Sequence, residues 1–174
     1  MERELLLLGI LRQQEMHGYE LHEFIDNTLA SCTNMKKSTA YYLLKKMEEA
    51  GFISQETRKE GNRPPKQVYK LTPPGEEEFK NLLRENLSKH NQVYFTDDIG
   101  MVFLDVLETD ETLALLAERR IELADSLSVA ENIPSHGENL QWVFDHLVHH
   151  LLSELSWIDS VIIRLNEKKK NIEK

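Results

Sequence analysis

Ser38-Thr39-Ala40-Tyr41-Tyr42-Leu43-Leu44-Lys45-Lys46-Met47-Glu48-Glu49-Ala50-Gly51 is the stretch that decides the fold. Ala40, Leu43, Leu44 and Met47 recur at helical spacing and define one apolar side; Ser38 or Thr39 is placed to cap the amides, and Gly51 supplies the stop. Burying that side leaves Ser38, Tyr41, Tyr42, Lys45 and Lys46 outside. Beyond Gly51 the apolar period changes from 3.6 to 2. Phe52 to Arg58 and Lys66 to Leu71 read as strands around Lys59-Glu60-Gly61-Asn62-Arg63-Pro64-Pro65, a tip rich in turn formers, which predicts a β-hairpin.

Two helices are expected upstream. Residues 3–13, with Leu5-Leu6-Leu7-Leu8-Gly9-Ile10-Leu11, are apolar nearly all round and must be buried on most sides. His17 to Leu29 opens after a turn at His17-Gly18 and repeats Leu21, Phe24, Ile25 and Leu29 on one side. Downstream, Thr72 stands as an N-cap with Pro73 as first helical residue, and Phe79, Leu82, Leu83 and Leu87 mark a fourth helix.

After a less regular stretch, 88–95, the pattern predicts helix throughout. Ile99, Val102, Phe103, Val106 and Leu107 form one stripe; Thr109 or Asp110 caps the next helix, with Leu113, Leu116, Ala117, Ala124 and Leu127 as another. A break at Ile133-Pro134-Ser135-His136-Gly137 precedes a long last helix. Its apolar side runs Val143, Phe144, Leu147, Val148, Leu151, Leu155, Ile158, Ile162 and Leu165. The fold expected is mainly α with a small β-hairpin: a winged helix-turn-helix in residues 1–90, then a helical dimerisation or effector domain in 91–174. A helix that long needs a partner, so a homodimer is expected.

The net charge of −9 is unevenly spread. Residues 1–72 hold eleven bases against ten acids, and residues 73–174 ten against twenty. Within 36–70, nine bases face four acids, a local surplus that suits a phosphate-facing surface, while the acidic remainder repels a polyanion and confines it to one side. The chemistry of the third helix fits a major groove: Lys36, Lys37, Ser38, Thr39, Tyr41, Tyr42, Lys45 and Lys46 offer a helix N-terminus, hydroxyls, flat rings and cations. On the hairpin, Lys59, Asn62, Arg63 and Lys66 are placed to straddle the backbone, with Arg63 suited to a narrow minor groove. The expected partner is double-stranded DNA.

Other classes fit less well. Apolar runs such as Leu5 to Leu8 are far below the roughly 20 residues that span a bilayer, so no membrane span is expected. Met1-Glu2-Arg3-Glu4 lacks the basic start of a secretory signal, and the single Cys32 suits a reducing cytoplasm. An enzyme is not expected. The chain has no Gly-x-Ser-x-Gly, phosphate-cradling glycine loop, His-Glu-x-x-His or Cys-x-x-Cys. His146, His149 and His150 with Glu154 have metal-like spacing but flank the long helix with nothing to complete a coordination set; neither metal nor cofactor is expected. Tyr19, Phe95, Trp142 and His146 are the candidates for binding a small aromatic effector. The competing reading is a helical protein-interaction module with a solvated basic hairpin.

Three segments in order carry a family likeness: His17-Gly18-Tyr19-Glu20-Leu21; Ser38-Thr39-Ala40-Tyr41 with Leu44 through Ile53; and Tyr69-Lys70-Leu71-Thr72-Pro73-Pro74-Gly75. Across residues 5–79 the chain resembles the PadR family of bacterial transcriptional regulators. The resemblance implies a winged helix for operator DNA and a helical domain that dimerises the protein, often in a repressor of stress or detoxification genes. The long helical tail is similar to the longer subfamily, whose best known theme is phenolic-acid response. Tyr42 departs from the pattern, standing after Tyr41 where many members carry Pro.

Overall fold

The computed structural model describes the chain apart from residues 29–34, 59–65, 135–136 and 173–174; at positions 22, 25–28, 66 and 172 only the backbone is described. Leu29, Cys32, Lys59, Asn62 and Arg63 therefore lie outside the described residues, as does the side chain of Lys66. The chain divides into two compact units, Met1–Gln92 and Val93–Lys174.

The first unit is a winged helix. Its elements are α1 (Glu2–Gln13), β1 (Met16–His17), α2 (Gly18–Thr28), α3 (Lys37–Glu49), β2 (Ile53–Arg58), β3 (Lys66–Leu71) and α4 (Pro73–Ser88). Leu7, Leu8, Ile10 and Leu11 of α1 meet Leu21 of α2, the predicted quartet of α3, and Met16, Ile53 and Tyr69 of the sheet in one core. Burying side chains of that size is worth about 1.5–3 kcal/mol each before chain entropy is set against it.

The sheet has a third strand that the hairpin pattern did not foretell. Where a turn at His17-Gly18 is expected, Met16 and His17 pair with Tyr69 and Val68, giving an antiparallel sheet in the order β1-β3-β2. Two residues are too few to show a period. His17 instead closes the start of α2: Glu20 accepts a hydrogen bond from the His17 backbone N–H at 3.0 Å, and the His17 Nδ1 lies 3.2 Å from the Gln67 carbonyl oxygen. That is the physical content of His-Gly-Tyr-Glu: a helix start held by a glutamate one turn in.

α3 ends as its sequence predicts and begins otherwise. Gly51 adopts φ +74°, its N–H bonds the Glu48 carbonyl, and the Phe52 N–H bonds that of Met47, the paired closure of a glycine-terminated helix. At the other end Lys36, extended at φ −70° and ψ 149°, is the N-cap, and its side chain makes no capping bond. Ser38 and Thr39 are already helical, so their expected capping role is not filled.

α4 starts as predicted. The Thr72 hydroxyl accepts from the Gly75 N–H at 3.2 Å and donates toward the carbonyl oxygens of Gly51 and Phe52, and Pro73 is the first helical residue. Arg12 of α1 grips Glu76 at 2.9 Å and lies over the Phe79 ring. Leu83 and Leu87, predicted on the apolar side, are exposed.

The second unit holds a 3₁₀ helix (Thr96–Val106), α5 (Thr109–Glu131) and α6 (Glu138–Ile172). The stripe read at a 3.6-residue period between Ile99 and Leu107 is not an α-helical face. The 3₁₀ helix kinks at Phe103, and Ile99, Val102, Phe103, Val106 and Leu107 are all exposed. Glu108, not Thr109 or Asp110, is the N-cap of α5, with no side-chain capping bond. α5 and α6 pack together with Leu116, Ala130, Phe144 and Ile158 buried, whereas Ala117 and Val143 of the predicted stripes are exposed. Most of the α6 stripe is only half-buried, and Trp142, Leu152 and Ile163 are exposed as well. No described helix is long and apolar enough to cross a membrane.

Candidate nucleic-acid interface

α3 presents the surface that its period demands. With Ala40, Leu43, Leu44 and Met47 in the core, Lys36, Lys37, Ser38, Tyr41, Tyr42, Lys45 and Lys46 are exposed, and Thr39 is half-buried. Helical rotation of about 100° per residue puts Ser38, Tyr42 and Lys45 along the middle of that outer face. Tyr42 is 67% exposed, and the Lys45 side chain, with Glu49 3.8 Å away, is 76% exposed. Among the described residues the first-turn amides have no side-chain cap, and Lys36 and Lys37 stand beside that positive end of the helix.

Two residues of this face are less free than the sequence suggests. The Tyr41 ring lies across the start of α2: a methyl group at Gly18 would come within 2.8 Å of its Cε1 and push the ring aside. Lys37 sits over the same ring, 6.0 Å from its centre. Lys46 is bound to Glu4 of α1 at 2.8 Å; its hydrogen bond holds the Glu4 carboxyl below its ordinary pKa, and Glu4 in turn raises that of Lys46. Lys46 keeps its charge, but an acid already faces it.

On the wing, the sheet brings together four charges that the sequence scatters. Glu15, just before β1, accepts from both Arg58 of β2 and Lys70 of β3, and Glu56 lies against the same two cations. Sequence reasoning missed Glu4 and Glu15. No local signal announces either one, because their partners are 42 and 43 or more residues away.

The effector candidates fall in different places. Tyr19, in the first unit, stacks on the His17 ring at 5.8 Å and donates to Glu20. Phe95, in the second unit, lines a cleft of 360 Å³ with Tyr94, Asp98, Arg119, His150 and Glu154. Trp142 and His146, one turn apart on α6, are exposed and do not line it. Arg119 organises the cleft: it reaches Asp98 at 3.0 Å and Glu154 at 3.4 Å, and lies over Trp157. Glu154 thus faces a guanidinium. Among the described residues no group of three His, Cys, Asp or Glu is arranged to hold a metal ion.

Residues 7–81, from the middle of α1 to the middle of α4 and so across α3 and both hairpin strands, match the profile described as "Transcriptional regulator PadR-like family". Over that stretch the chain is similar to this family of transcriptional regulators. It is 24% identical over 174 residues to the negative transcriptional regulator PadR of Bacillus subtilis (strain 168), across 92% of this chain and 96% of that protein. Two crystal structures of Bacillus subtilis PadR are similar in fold. One, in complex with operator DNA, has 22% identity and a TM-score of 0.80 and covers 93% of this chain and 98% of its own. The other, in complex with p-coumaric acid, has 20% identity and a TM-score of 0.73, with 94% of each chain covered.

Proposed function

We propose that this protein is a dimeric repressor of the cytoplasm that docks α3 in the major groove of an operator and is released when a small molecule binds. The observation that carries the reading is the outer face of α3. A helix start whose N-cap side chain makes no capping bond, a serine hydroxyl, an exposed tyrosine and an exposed lysine stand in line on a helix whose other side is locked into the core. Ser38 and the first-turn amides take a phosphate; Tyr42 and Lys45 enter the groove; Lys36 and Lys37 neutralise the flanking backbone. Lys59, Asn62, Arg63 and Lys66 of the wing follow the adjacent minor groove, with Arg63 as the deepest probe. Residues 1–90 bind DNA, and residues 91–174 join two copies and receive the effector.

Dimerisation accounts for the half-buried length of α6 and its exposed Trp142, Leu152 and Ile163, and it sets two α3 helices on successive major grooves, roughly 34–36 Å apart. Phe95 and its cleft, or the exposed Trp142 and His146, supply the aromatic surface for an effector in the second unit, and Tyr19 is a separate candidate in the first. The fold likeness to a regulator crystallised both with operator DNA and with p-coumaric acid supports both halves of the proposal.

An electrophoretic shift on the duplex upstream of the chain's own gene tests it. A discrete complex that survives competition by unrelated DNA, and dissociates as p-coumarate or a related phenol is titrated in, is the expected result. No complex at low salt would leave the protein-interaction module as the better reading.

A further inference from the structure

Glu15 occupies a position that neither the hydrophobic pattern nor the DNA-facing list explains. It follows α1 and immediately precedes β1; since Met16 pairs with Tyr69 in antiparallel register, Glu15 comes opposite Lys70. Its carboxylate takes the Lys70 ammonium at 3.3 Å and both terminal nitrogens of Arg58, the second at 3.1 Å. Glu56 completes the ring, 3.0 Å from Lys70 and 3.5 Å from Arg58. Two acids and two bases alternate on one side of the sheet. Arg58 is the last residue of β2, beside Lys59 and four positions before Asn62 in sequence, where a cation is well placed to reach the DNA backbone.

The ring does little for folding. Its four side chains are 32–50% exposed, and ion pairs that water reaches are screened and contribute little. Its effect on a polyanion is larger in kind, because a guanidinium whose fork is filled by a carboxylate cannot present that fork to a phosphate. Lys45, by contrast, has only a loose acid neighbour at 3.8 Å.

We propose that Glu15 is a positioning residue that keeps Arg58 out of phosphate contact, holding down the affinity for unrelated DNA and so sharpening the preference for the operator. One of the nine cations in residues 36–70, Arg58, is thereby withdrawn from the DNA-facing charge by an acid outside that stretch, while Lys70 lies closer to Glu56, at 3.0 Å, than to Glu15. The inference rests on the reading of the chain as a DNA-binding regulator and adds a control on its selectivity.

The test is the salt dependence of binding by the full-length protein to an unrelated duplex and to the upstream duplex, between about 50 and 200 mM salt. Glu15→Gln keeps the shape and removes the charge. Freeing Arg58 for one phosphate steepens the plot of log K against log salt by about 0.9 and raises affinity for unrelated DNA about five-fold near 0.15 M. The double variant Glu15→Gln/Arg58→Ala returns to the wild-type slope.

Arg58→Ala alone is the variant that decides the matter even if Glu15→Gln folds poorly. Arg58 holds no phosphate in the wild type, so its loss leaves the slope unchanged. A slope lower by about 0.9 for Arg58→Ala, or wild-type isotherms for a folded Glu15→Gln, overturns the proposal while the regulator reading stands. A wild type that binds neither duplex overturns both.

Discussion

Gly75→Ala is the substitution that the fold tolerates least for its size. Gly75 is buried in the first turn of α4, and a methyl group built there falls 1.9 Å from the Phe52 carbonyl oxygen and 2.8 Å from Leu71 Cδ1. The obstacle is backbone, held by the Thr72 N–H at 3.1 Å and the Thr72 hydroxyl at 2.9 Å, so it cannot swing aside. Overpacking costs about 1–3 kcal/mol, and loosening the Thr72 contacts about 1 more. Alanine's better helix propensity returns about 1 kcal/mol. The net loss is about 1–3 kcal/mol, equivalent to a fall in Tm of roughly 4–20 °C for a unit of this size. Thermal unfolding by circular dichroism measures it, with Gly100→Ala, which meets nothing within 4 Å, as the neutral comparison. A Gly75→Ala protein that melts with the wild type would refute the seating of α4 on the end of α3.

Two further outcomes follow from the same contacts. The Glu4 carboxyl is held below its ordinary 4.5 by the Lys46 hydrogen bond, so the stability this pair contributes is complete above that pH and disappears as pH falls through the lowered value. The stability gap between wild type and Glu4→Gln, from urea unfolding at a series of pH values, should therefore be constant above about pH 5 and close below it; a gap that widens on acidification contradicts the pairing. Light scattering of the intact protein should give the mass of two chains, and a monomer at micromolar concentration would leave the exposed side of α6 without its proposed partner.

How much of this was legible depended on how local each signal was. The core side of α3, the glycine stop, the hairpin strands and the Thr72-Pro73 start are each written within a few residues, and the structure has them where the pattern put them. The Thr109 and Ser38 caps failed because a capping residue type also occurs inside a first turn, and only backbone angles tell the two apart. Ile99 to Leu107 misled for another reason. A run rich in apolar residues fits a 3.6-residue period by default, and in a 3₁₀ helix side chains three apart eclipse, so Ile99 and Val102 share an edge that Phe103 does not. β1 was too short to see. In the candidate site, the face of α3 was legible because it is the complement of a core pattern. The acids that temper it, Glu4 and Glu15, were not, since nothing near them in sequence names Lys46, Arg58 or Lys70 as partners.

The central claim is that the outer face of α3 enters the groove, and Lys45 tests it with the least disturbance. Its side chain is almost fully solvated, so Lys45→Ala removes one cation and leaves the core, the Glu4 pair and the wing untouched. Binding isotherms on the upstream duplex at several salt concentrations should show binding weaker than that of the wild type, with a salt slope smaller by about 0.9 if Lys45 also holds a phosphate. Isotherms that superpose on the wild type at every salt concentration would mean that this face of α3 is not at the DNA.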